Sequence, residues 1–318
     1  MSIDMKEFIK AEMGSFQDPD RDDFEMALEM SVDAQYCNLL RVLAEARDGS
    51  LHHDRTGVGT IRRTGNAMFI RSVLANFPIL ESKFVSIKTV LHELLWFLKG
   101  NPNIQYLKEN GVTIWDEWAD EDGNLGPIYP KQWRAWPDTK LLFGGDHDFP
   151  ERYKALIERG YVCRGSYEAG ETGYDEYVMH KEIDQVQNIV DTLINNPDSR
   201  RMVCSAWNVG DLPDMNLHPC HIMWQVLSDS DREARSFDHN MSEALGNPKK
   251  HRVLDLVIYQ RSADTCLGSP YNIASYAALL QILADMTGHV AGSLVYLTGD
   301  THVYTNHFEG AATQLAQY

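Results

Sequence analysis

The stretch Leu217-His218-Pro219-Cys220-His221 lies close in sequence to a pair of arginines, with Cys220 20 positions after Arg200. A cysteine reacts as its thiolate, and nearby positive charge lowers the pKa of a thiol. The guanidinium groups of Arg200 and Arg201 could supply that charge, and they are also suited to holding a dianionic phosphate. The pattern therefore indicates a thiol nucleophile that acts on an anionic substrate.

The cysteines of the chain are widely scattered: Cys37, Cys163, Cys204, Cys220 and Cys266. No CxxC pair or histidine-rich cluster accompanies them, so the sequence predicts neither a metal site nor a disulfide framework. A lone cysteine is more often a packed core residue than a nucleophile, and both interpretations of Cys220 stay open at this point. The cysteine count is typical of a reducing compartment.

Composition points to a globular protein that acts on a small molecule. Of the 318 residues, 43% are hydrophobic and 24% are charged, with a formal net charge of −17. Such acidity argues against a dedicated nucleic-acid surface. No apolar run approaches the roughly 20 residues of a membrane helix, and residues 1–23 lack the pattern of a secretory signal. We therefore expect a cytoplasmic protein with no membrane partner.

Apolar spacing predicts helices in the second half of residues 1–49, at 87–98 and at 273–287, the last ending at Gly288. Strands are predicted at 66–70, 202–206, 223–227, 254–260 and 293–297. Residues 1–30 form an acidic N-terminal extension, and the polar segments 139–182 and 228–252 are predicted to be surface excursions. The lack of a GxGxxG motif argues against a dinucleotide-binding sheet.

Three further features have two interpretations each. Glu93 falls inside an apolar helical stretch, where a carboxylate is either a satisfied core acid or a proton relay. Residues 112–118 and 126–129 mix aromatic rings with carboxylates, as at the edge of a core or in a stacking platform for a flat heterocycle. The glycine-bearing turn at 54–60, with Arg55, is either a simple turn or a phosphate contact.

Seven motifs, taken together and in this order, resemble thymidylate synthases over residues 38–317. They are DRTGVGT (54–60), HELLWFLKG (92–100), TIWDEWADEDGNLGPIYPKQWRAW (113–136), PDSRRMVCSAWNVGDL (197–212), LHPCH (217–221), QRSADTCLGSPYNIASY (260–276) and GDTHVYTNH (299–307). The resemblance implies an α/β (α+β) fold in residues 31–318: a large, mixed, twisted sheet with helices on one face. The other face is expected to form a homodimer.

The activity implied by the resemblance is transfer of a one-carbon unit to carbon 5 of dUMP, giving dTMP and dihydrofolate. Cys220 matches the cysteine that adds to carbon 6 of the uracil ring, and covalent addition divides one difficult step into easier ones. The co-substrate is 5,10-methylenetetrahydrofolate, and no metal is implied. Asn272 matches the amide that recognises the uracil edge, where relatives acting on cytosine carry Asp; an amide can both donate and accept hydrogen bonds.

The resemblance also implies three sets of site residues. Catalytic roles fall on Cys220, Glu93, Tyr129, Asp264 and Asn272. Substrate binding falls on Arg55, Arg200, Arg201, His221, Gln260, Arg261, Ser262, Asn272, His302 and Tyr304. The folate side comprises Lys83, Trp115, Leu217, Asp264, Leu267, Gly268 and Tyr271. In the family the pair matching Arg200 and Arg201 reaches in from the second subunit, which implies active sites shared across a dimer.

Two departures from the family pattern are visible. Pro130 follows Tyr129, where the family usually has glycine, which removes a backbone donor. The sequence given ends at Tyr318, whereas thymidylate synthases ordinarily continue into a tail that excludes water from the folate. Admission of water would favour a dUMP hydroxymethylase, which forms 5-hydroxymethyl-dUMP, because exclusion of water protects reactive intermediates. A nucleotide-binding relative without turnover is the third hypothesis.

Overall fold

Nine strands lie in the part of the chain that the computed structural model describes, which is residues 31–45, 51–53, 57–168, 174–230 and 252–317. They are β1 (His52–His53), β2 (Gly59–Ile70), β3 (Trp136–Phe143), β4 (Val162–Glu168), β5 (Asp175–Ile183), β6 (Val203–Ser205), β7 (His221–Asp229), β8 (Val253–Asp264) and β9 (Val290–Tyr304). A six-stranded sheet has the order β1-β2-β9-β8-β7-β6. In it, β8 and β9 run parallel and the other neighbouring pairs antiparallel, which confirms the predicted mixed sheet.

The described residues form eight α-helices. They are α1 (Val32–Glu45), α2 (Ile87–Lys99), α3 (Gln105–Glu109), α4 (Tyr129–Arg134), α5 (Phe149–Glu158), α6 (Gln185–Asn195), α7 (Gly268–Thr287) and α8 (Phe308–Gln317). The three predicted helices correspond to α1, α2 and α7, and the predicted strands fall within or overlap β2, β6, β7, β8 and β9. Pro130 lies in the first turn of α4, where a missing N–H costs no helical hydrogen bond. No helix in this part of the chain is long and apolar enough to span a bilayer.

The large sheet buries one face and leaves the other partly open. Side chains alternate across a strand, so neighbouring register rows belong to opposite faces. One row across five strands is buried: Met68, Tyr296, Ile258, Trp224 and Cys204. The next row is partly or largely exposed: Ala67, Leu297, Tyr259, Met223 and Ser205. Helices α1, α6 and α7 pack on the large sheet and share one core with its buried row, which confirms the α/β class.

Helix α7 begins at Gly268, five positions before the start of the predicted helix 273–287. Its first turn contains Gly268 and Pro270, which are poor helix formers and hide the start from an apolar pattern. The Asp264 carboxylate accepts hydrogen bonds at 2.9 and 3.0 Å from two backbone N–H groups just before the helix, as a capping side chain does. Asn272 therefore lies in the second turn of α7, whereas the prediction, with a helix starting at residue 273, placed it just before the helix.

Residues 139–182 carry no predicted helix or strand, yet the structure forms a second sheet there in the order β3-β5-β4, with α5 packed against β3. A separate small core holds it together, formed by Leu142, Leu156, Tyr161 and Met179. So few buried residues, spread over short strands with exposed edges, produce a weak periodic signal. Residues 228 and 229 of the second predicted excursion continue β7, and residues 231–251 lie outside the described part. Residues 1–30 and Ala46, at the end of the first predicted helix, also lie outside it.

Gly126 lies in the loop before α4 and packs against the loop that precedes Cys220. Its φ is +74°, and a Cβ at this position would lie 2.0 Å from the carbonyl oxygen of Asp214. We expect Gly126→Ala to lower the free energy of unfolding by about 2–4 kcal/mol, because it combines an unfavourable φ with a backbone clash. Urea unfolding measures the loss. Gly65→Ala is the matched control: Gly65 has φ +73° and open space around it, so it should lose only about 1 kcal/mol.

Candidate active site

A cleft of about 520 Å³ opens at one end of the central strands of the large sheet. The carboxyl ends of the parallel strands β8 and β9 lie at the cleft, together with the start of the antiparallel strand β7. Helix α2 contributes Glu93, and the beginning of α7 contributes Gly268 and Asn272. The cleft is therefore lined by residues that lie far apart in the sequence, because neighbouring strands bring separate motifs together at their carboxyl ends.

Most of the predicted site residues line this cleft. All five predicted catalytic residues do so: Glu93, Tyr129, Cys220, Asp264 and Asn272. Six further predicted substrate residues line it as well: His221, Gln260, Arg261, Ser262, His302 and Tyr304. From the predicted folate side, Trp115, Leu217 and Gly268 join Asp264 there.

The remaining predicted residues lie elsewhere. Lys83 and Leu267 line a second cavity of about 310 Å³, beside α8. Tyr271 lies outside both cavities, with its hydroxyl 3.5 Å from the backbone N–H of Ser86. Arg200 and Arg201 are exposed and do not line the cleft of their own chain. Arg55 lies outside the described residues. The cleft of one chain thus contains Arg261 but not the predicted arginine pair.

Cys220 lies immediately before β7 with its backbone fixed on both sides. Its N–H donates to the Tyr129 hydroxyl at 2.6 Å, and its carbonyl accepts the N–H of Arg261 at 2.9 Å. The thiol is partly exposed and faces the cleft. Burial raises the pKa of Cys266 to about 11 and that of Cys204 well above its usual value, so these thiols stay protonated at neutral pH. Among the described residues, Cys220 is the one cysteine that lines the cleft.

The Arg261 guanidinium is held against the loop that carries Cys220. Its Nε donates to the carbonyl of Pro219 at 2.9 Å, and one terminal nitrogen donates to the carbonyl of His218 at 3.1 Å. The Trp207 ring lies 5.3 Å from the guanidinium carbon, within the range of a cation–π contact. An arginine has five N–H donors, so this anchoring leaves donors for an anion beside the cysteine.

Glu93 is a buried carboxyl group that faces the cleft, with 6% of its surface exposed. Its Oε1 accepts a 2.8 Å hydrogen bond from the Trp115 indole. Burial raises the pKa of Glu93 to about 7, although the Trp115 hydrogen bond acts in the opposite direction. A carboxyl group with a pKa near 7 can release and take up a proton at neutral pH, and this favours the proton-relay interpretation.

Part of the cleft is lined by neutral polar groups. Burial lowers the pKa of His221 to about 4, although the neighbouring Asn272 side chain acts in the opposite direction, and its ring packs between Tyr129 and Tyr276 at 5.3 and 5.4 Å. The Tyr129 hydroxyl accepts the N–H groups of both Cys220 and His221, and burial holds the pKa of Tyr129 well above its usual value. These groups therefore present hydrogen-bonding dipoles without charge at neutral pH.

The far end of the cleft is organised by hydrogen bonds within the sheet. His302 Nδ1 lies 2.9 Å from an Asp300 carboxylate oxygen, and the His302 and Tyr304 rings meet edge to face at 5.1 Å. Gln260 accepts a 2.6 Å hydrogen bond from Tyr296 and donates one of 2.8 Å to the carbonyl of Ser262. Since much of the Gln260 amide is engaged internally, its clearest contribution is to hold this end of β8 in place.

Trp118 also lines the cleft, although it is absent from the predicted site residues. It follows Trp115 by three positions, and residues 112–118 carry the aromatic pattern for which a stacking platform was one interpretation. Trp115 itself is 8% exposed and packs 6.0 Å from Tyr129, so the stretch serves the core and lines the cleft at once. The aromatic pattern of residues 112–118 therefore included Trp118, but the sequence alone could not distinguish a residue of the cleft from a residue of the core.

A family model described as thymidylate synthase matches residues 34–318, which is nearly the whole chain. The chain belongs to the thymidylate synthase family. Membership in the family supports a one-carbon transfer of the thymidylate synthase type, for which the family uses methylenetetrahydrofolate as co-substrate. No cluster of His, Cys, Asp and Glu in the described ranges is arranged to hold a metal ion.

Because its pKa is raised, Glu93 should make the free energy of unfolding depend on pH. The folded-state pKa of about 7 exceeds the unfolded value of 4.5, so the stabilisation from this group is complete below pH 4.5 and is lost as pH rises through 7. Glu93→Gln keeps the site neutral at every pH. Between pH 5 and pH 8 the variant should therefore gain about 2–3 kcal/mol of unfolding free energy relative to the wild type.

Urea unfolding at the two pH values measures this gain. Glu117→Gln is the matched control, because Glu117 is exposed and close in the chain, and its unfolding free energy should follow the wild type at both pH values. If Glu93→Gln and the wild type change in parallel, the raised pKa is wrong.

Proposed function

We propose that this chain converts dUMP and 5,10-methylenetetrahydrofolate into dTMP and dihydrofolate. One observation carries the proposal: the Cys220 thiol, the Asn272 amide and the Glu93 carboxyl group line the same cleft. A nucleophile, a group that recognises the pyrimidine edge and a proton-transfer group are the parts that this reaction needs.

In the proposed first step, the Cys220 thiolate bonds to carbon 6 of uracil. The electron pair of the carbon 5–carbon 6 double bond moves toward the oxygen on carbon 4, and carbon 5 becomes nucleophilic. The Cys220 backbone donates a hydrogen bond to the Tyr129 hydroxyl and accepts one from the Arg261 N–H, so the thiol is oriented before the substrate arrives. The remaining donors of Arg261 suit a phosphate close to this thiol.

The Asn272 amide supports recognition of uracil. It is 9% exposed and lines the cleft on α7. Its N–H can donate to the oxygen on carbon 4, and its oxygen can accept the N–H at position 3. A donor at that oxygen also stabilises the negative charge that forms there when carbon 6 is attacked. Glu93, with a pKa of about 7, is suited to move protons to and from this part of the ring.

The folate fits the wall formed by Trp115, Trp118 and Leu217, which offers flat apolar surface to a pterin. Asp264 adds a carboxylate on the same side of the cleft, and one of its oxygens is already fixed by two backbone N–H groups. Folate supplies the one-carbon unit and the hydride that completes the methyl group. The side chains of this wall bind and orient it and exclude water from the reacting carbon.

We also propose a homodimer formed through the open face of the large sheet. That face presents apolar side chains such as Tyr259 and Met223, and an exposed apolar surface of this kind marks an interface. Arg200 and Arg201 do not line the cleft of their own chain, which supports their contribution to a partner's cleft. Cytoplasmic location remains part of the proposal, supported by the number and wide scatter of the cysteines, which are typical of a reducing compartment.

Subunit complementation tests the shared site. An equal mixture of Cys220→Ala and Arg200→Ala/Arg201→Ala chains should regain roughly a quarter of wild-type activity, because half of the dimers carry one intact site. Each variant alone should be nearly inactive. Failure of the mixture to regain activity, after exchange of subunits has been verified, would contradict the shared arrangement.

Product analysis tests the reaction itself. The chain is incubated with dUMP and methylenetetrahydrofolate, the nucleotide is identified by mass spectrometry, and folate absorbance is followed in parallel. We expect dTMP with dihydrofolate. A nucleotide heavier than dTMP by one oxygen, with tetrahydrofolate, would show hydroxymethylation instead. Binding of dUMP without any product would indicate a nucleotide-binding protein.

A further inference from the structure

The loop that carries Arg200 and Arg201 is tied to the large sheet by side chains outside the cleft. A terminal nitrogen of Arg252 donates to the carboxylate of Asp198, two positions before Arg200. The Gln225 amide donates to the carbonyl of Arg200 at 3.1 Å. The loop is therefore held both at Asp198 and at Arg200 itself.

Arg252 is in turn fixed by the end of β7. Its Nε donates to the Ser228 hydroxyl at 2.7 Å, and a terminal nitrogen lies 3.4 Å from the Ser228 carbonyl. The terminal nitrogen near the Ser228 carbonyl is Nη2, which also donates to Asp198, so the Nε–Nη2 edge of the guanidinium contacts both the end of β7 and Asp198. Two anchored nitrogens give the planar guanidinium a defined orientation, which a flexible lysine would not have.

The chain of hydrogen bonds continues to His289, just after α7. The Ser228 hydroxyl lies 3.0 Å from His289 Nε2. His289 Nδ1 lies 3.1 Å from the Thr287 carbonyl oxygen, which can only accept, so Nδ1 donates there and Nε2 of the neutral ring accepts from Ser228. The network joins α7, β7, the start of β8 and the arginine loop without a break.

We propose that Arg252 is a positioning residue that directs Arg200 and Arg201 toward the phosphate of the nucleotide in the partner's cleft. The proposal rests on the proposed function, in which this pair binds phosphate across the dimer. Arg252 touches neither substrate nor reacting atoms; it acts through Asp198. The Asp198 side chain is 77% exposed, so its ion pair with Arg252 is partly screened, and a moderate effect of about fivefold is expected.

Two variants test this role in the full-length chain. Arg252→Ala removes the anchor, and Asp198→Asn weakens the same contact from an exposed position that is safe for folding. Each should raise the KM for dUMP about fivefold while kcat stays within about twofold. The Kd of deoxyuridine, which lacks the phosphate, should not change. Arg252→Lys should give partial rescue, because a lysine can replace one of the two anchoring contacts.

Arg152→Ala is the matched control, since it removes an arginine–aspartate pair of 2.8 Å at α5, apart from the cleft, and should leave the KM unchanged. Arg200→Ala is measured alongside. If it raises the KM for dUMP but Arg252→Ala and Asp198→Asn do not, the positioning role is wrong and the proposed function stands. Equal weakening of dUMP and deoxyuridine would also overturn the positioning role. If the wild type fails to bind dUMP, the proposed function and this inference fall together.

Discussion

Cys220→Ala should abolish turnover, with a loss of at least about 10⁴-fold in kcat, while the Kd for dUMP changes little. In the proposed mechanism the thiol supplies the electron pair that makes carbon 5 reactive, and removal of a covalent nucleophile costs more than loss of a binding contact. The Arg261 anchors to Pro219 and His218 are made to backbone carbonyls, so the variant keeps them. Calorimetry with dUMP and single-turnover kinetics separate the two quantities.

Cys163→Ser is the matched control, because Cys163 is exposed on β4 and lies in the small sheet, apart from the cleft. It should retain wild-type activity. Mass spectrometry with 5-fluoro-dUMP and methylenetetrahydrofolate should detect a covalent adduct on Cys220 in the wild type and in Cys163→Ser, and none in Cys220→Ala. Residual turnover of Cys220→Ala within tenfold of the wild type would rule out covalent catalysis by this thiol.

Individual strands of the large sheet could be predicted from the sequence because they bury one face and alternate, whereas their assembly into one large mixed sheet was implied only by the resemblance to thymidylate synthases. Within β8, the buried residues Leu254, Leu256 and Ile258 show this period, and α2 shows the apolar spacing of a packed helix. The small sheet could not be predicted, because its core contains only a few side chains, such as Leu142 and Met179. A periodic apolar pattern arises where one face of a strand is buried, and few side chains of the small sheet are buried.

The cleft could be predicted only in part from the residues themselves. Cys220, Glu93 and the aromatic stretch each gave a local signal, but each signal had a second interpretation. Residues such as His302 and Asn272 gave no local signal, and they entered only through the resemblance to thymidylate synthases. Their juxtaposition with Cys220 depends on the parallel pairing of β8 with β9 and on the place of α7, which are long-range features that no local pattern encodes.

Asn272→Asp should move the preference of the site from dUMP toward dCMP. In its buried position a carboxyl group tends to stay protonated, because burial disfavours the charged form. A protonated carboxyl can donate to the ring nitrogen at position 3 of cytosine and accept from its amino group, whereas uracil presents a donor and an acceptor in the reverse order. Two mismatched hydrogen bonds should change the ratio of kcat/KM for dUMP to that for dCMP by about 10²- to 10³-fold.

Steady-state kinetics with each nucleotide measure that ratio, and Asn195→Asp provides the matched control, since Asn195 is exposed on α6. The control should keep the wild-type ratio. An unchanged ratio in Asn272→Asp, with the protein folded, would mean that Asn272 does not contact the pyrimidine edge. A loss of activity toward both nucleotides without a change in ratio would indicate that Asn272 acts mainly by supporting His221, its neighbour among the neutral groups that line the cleft.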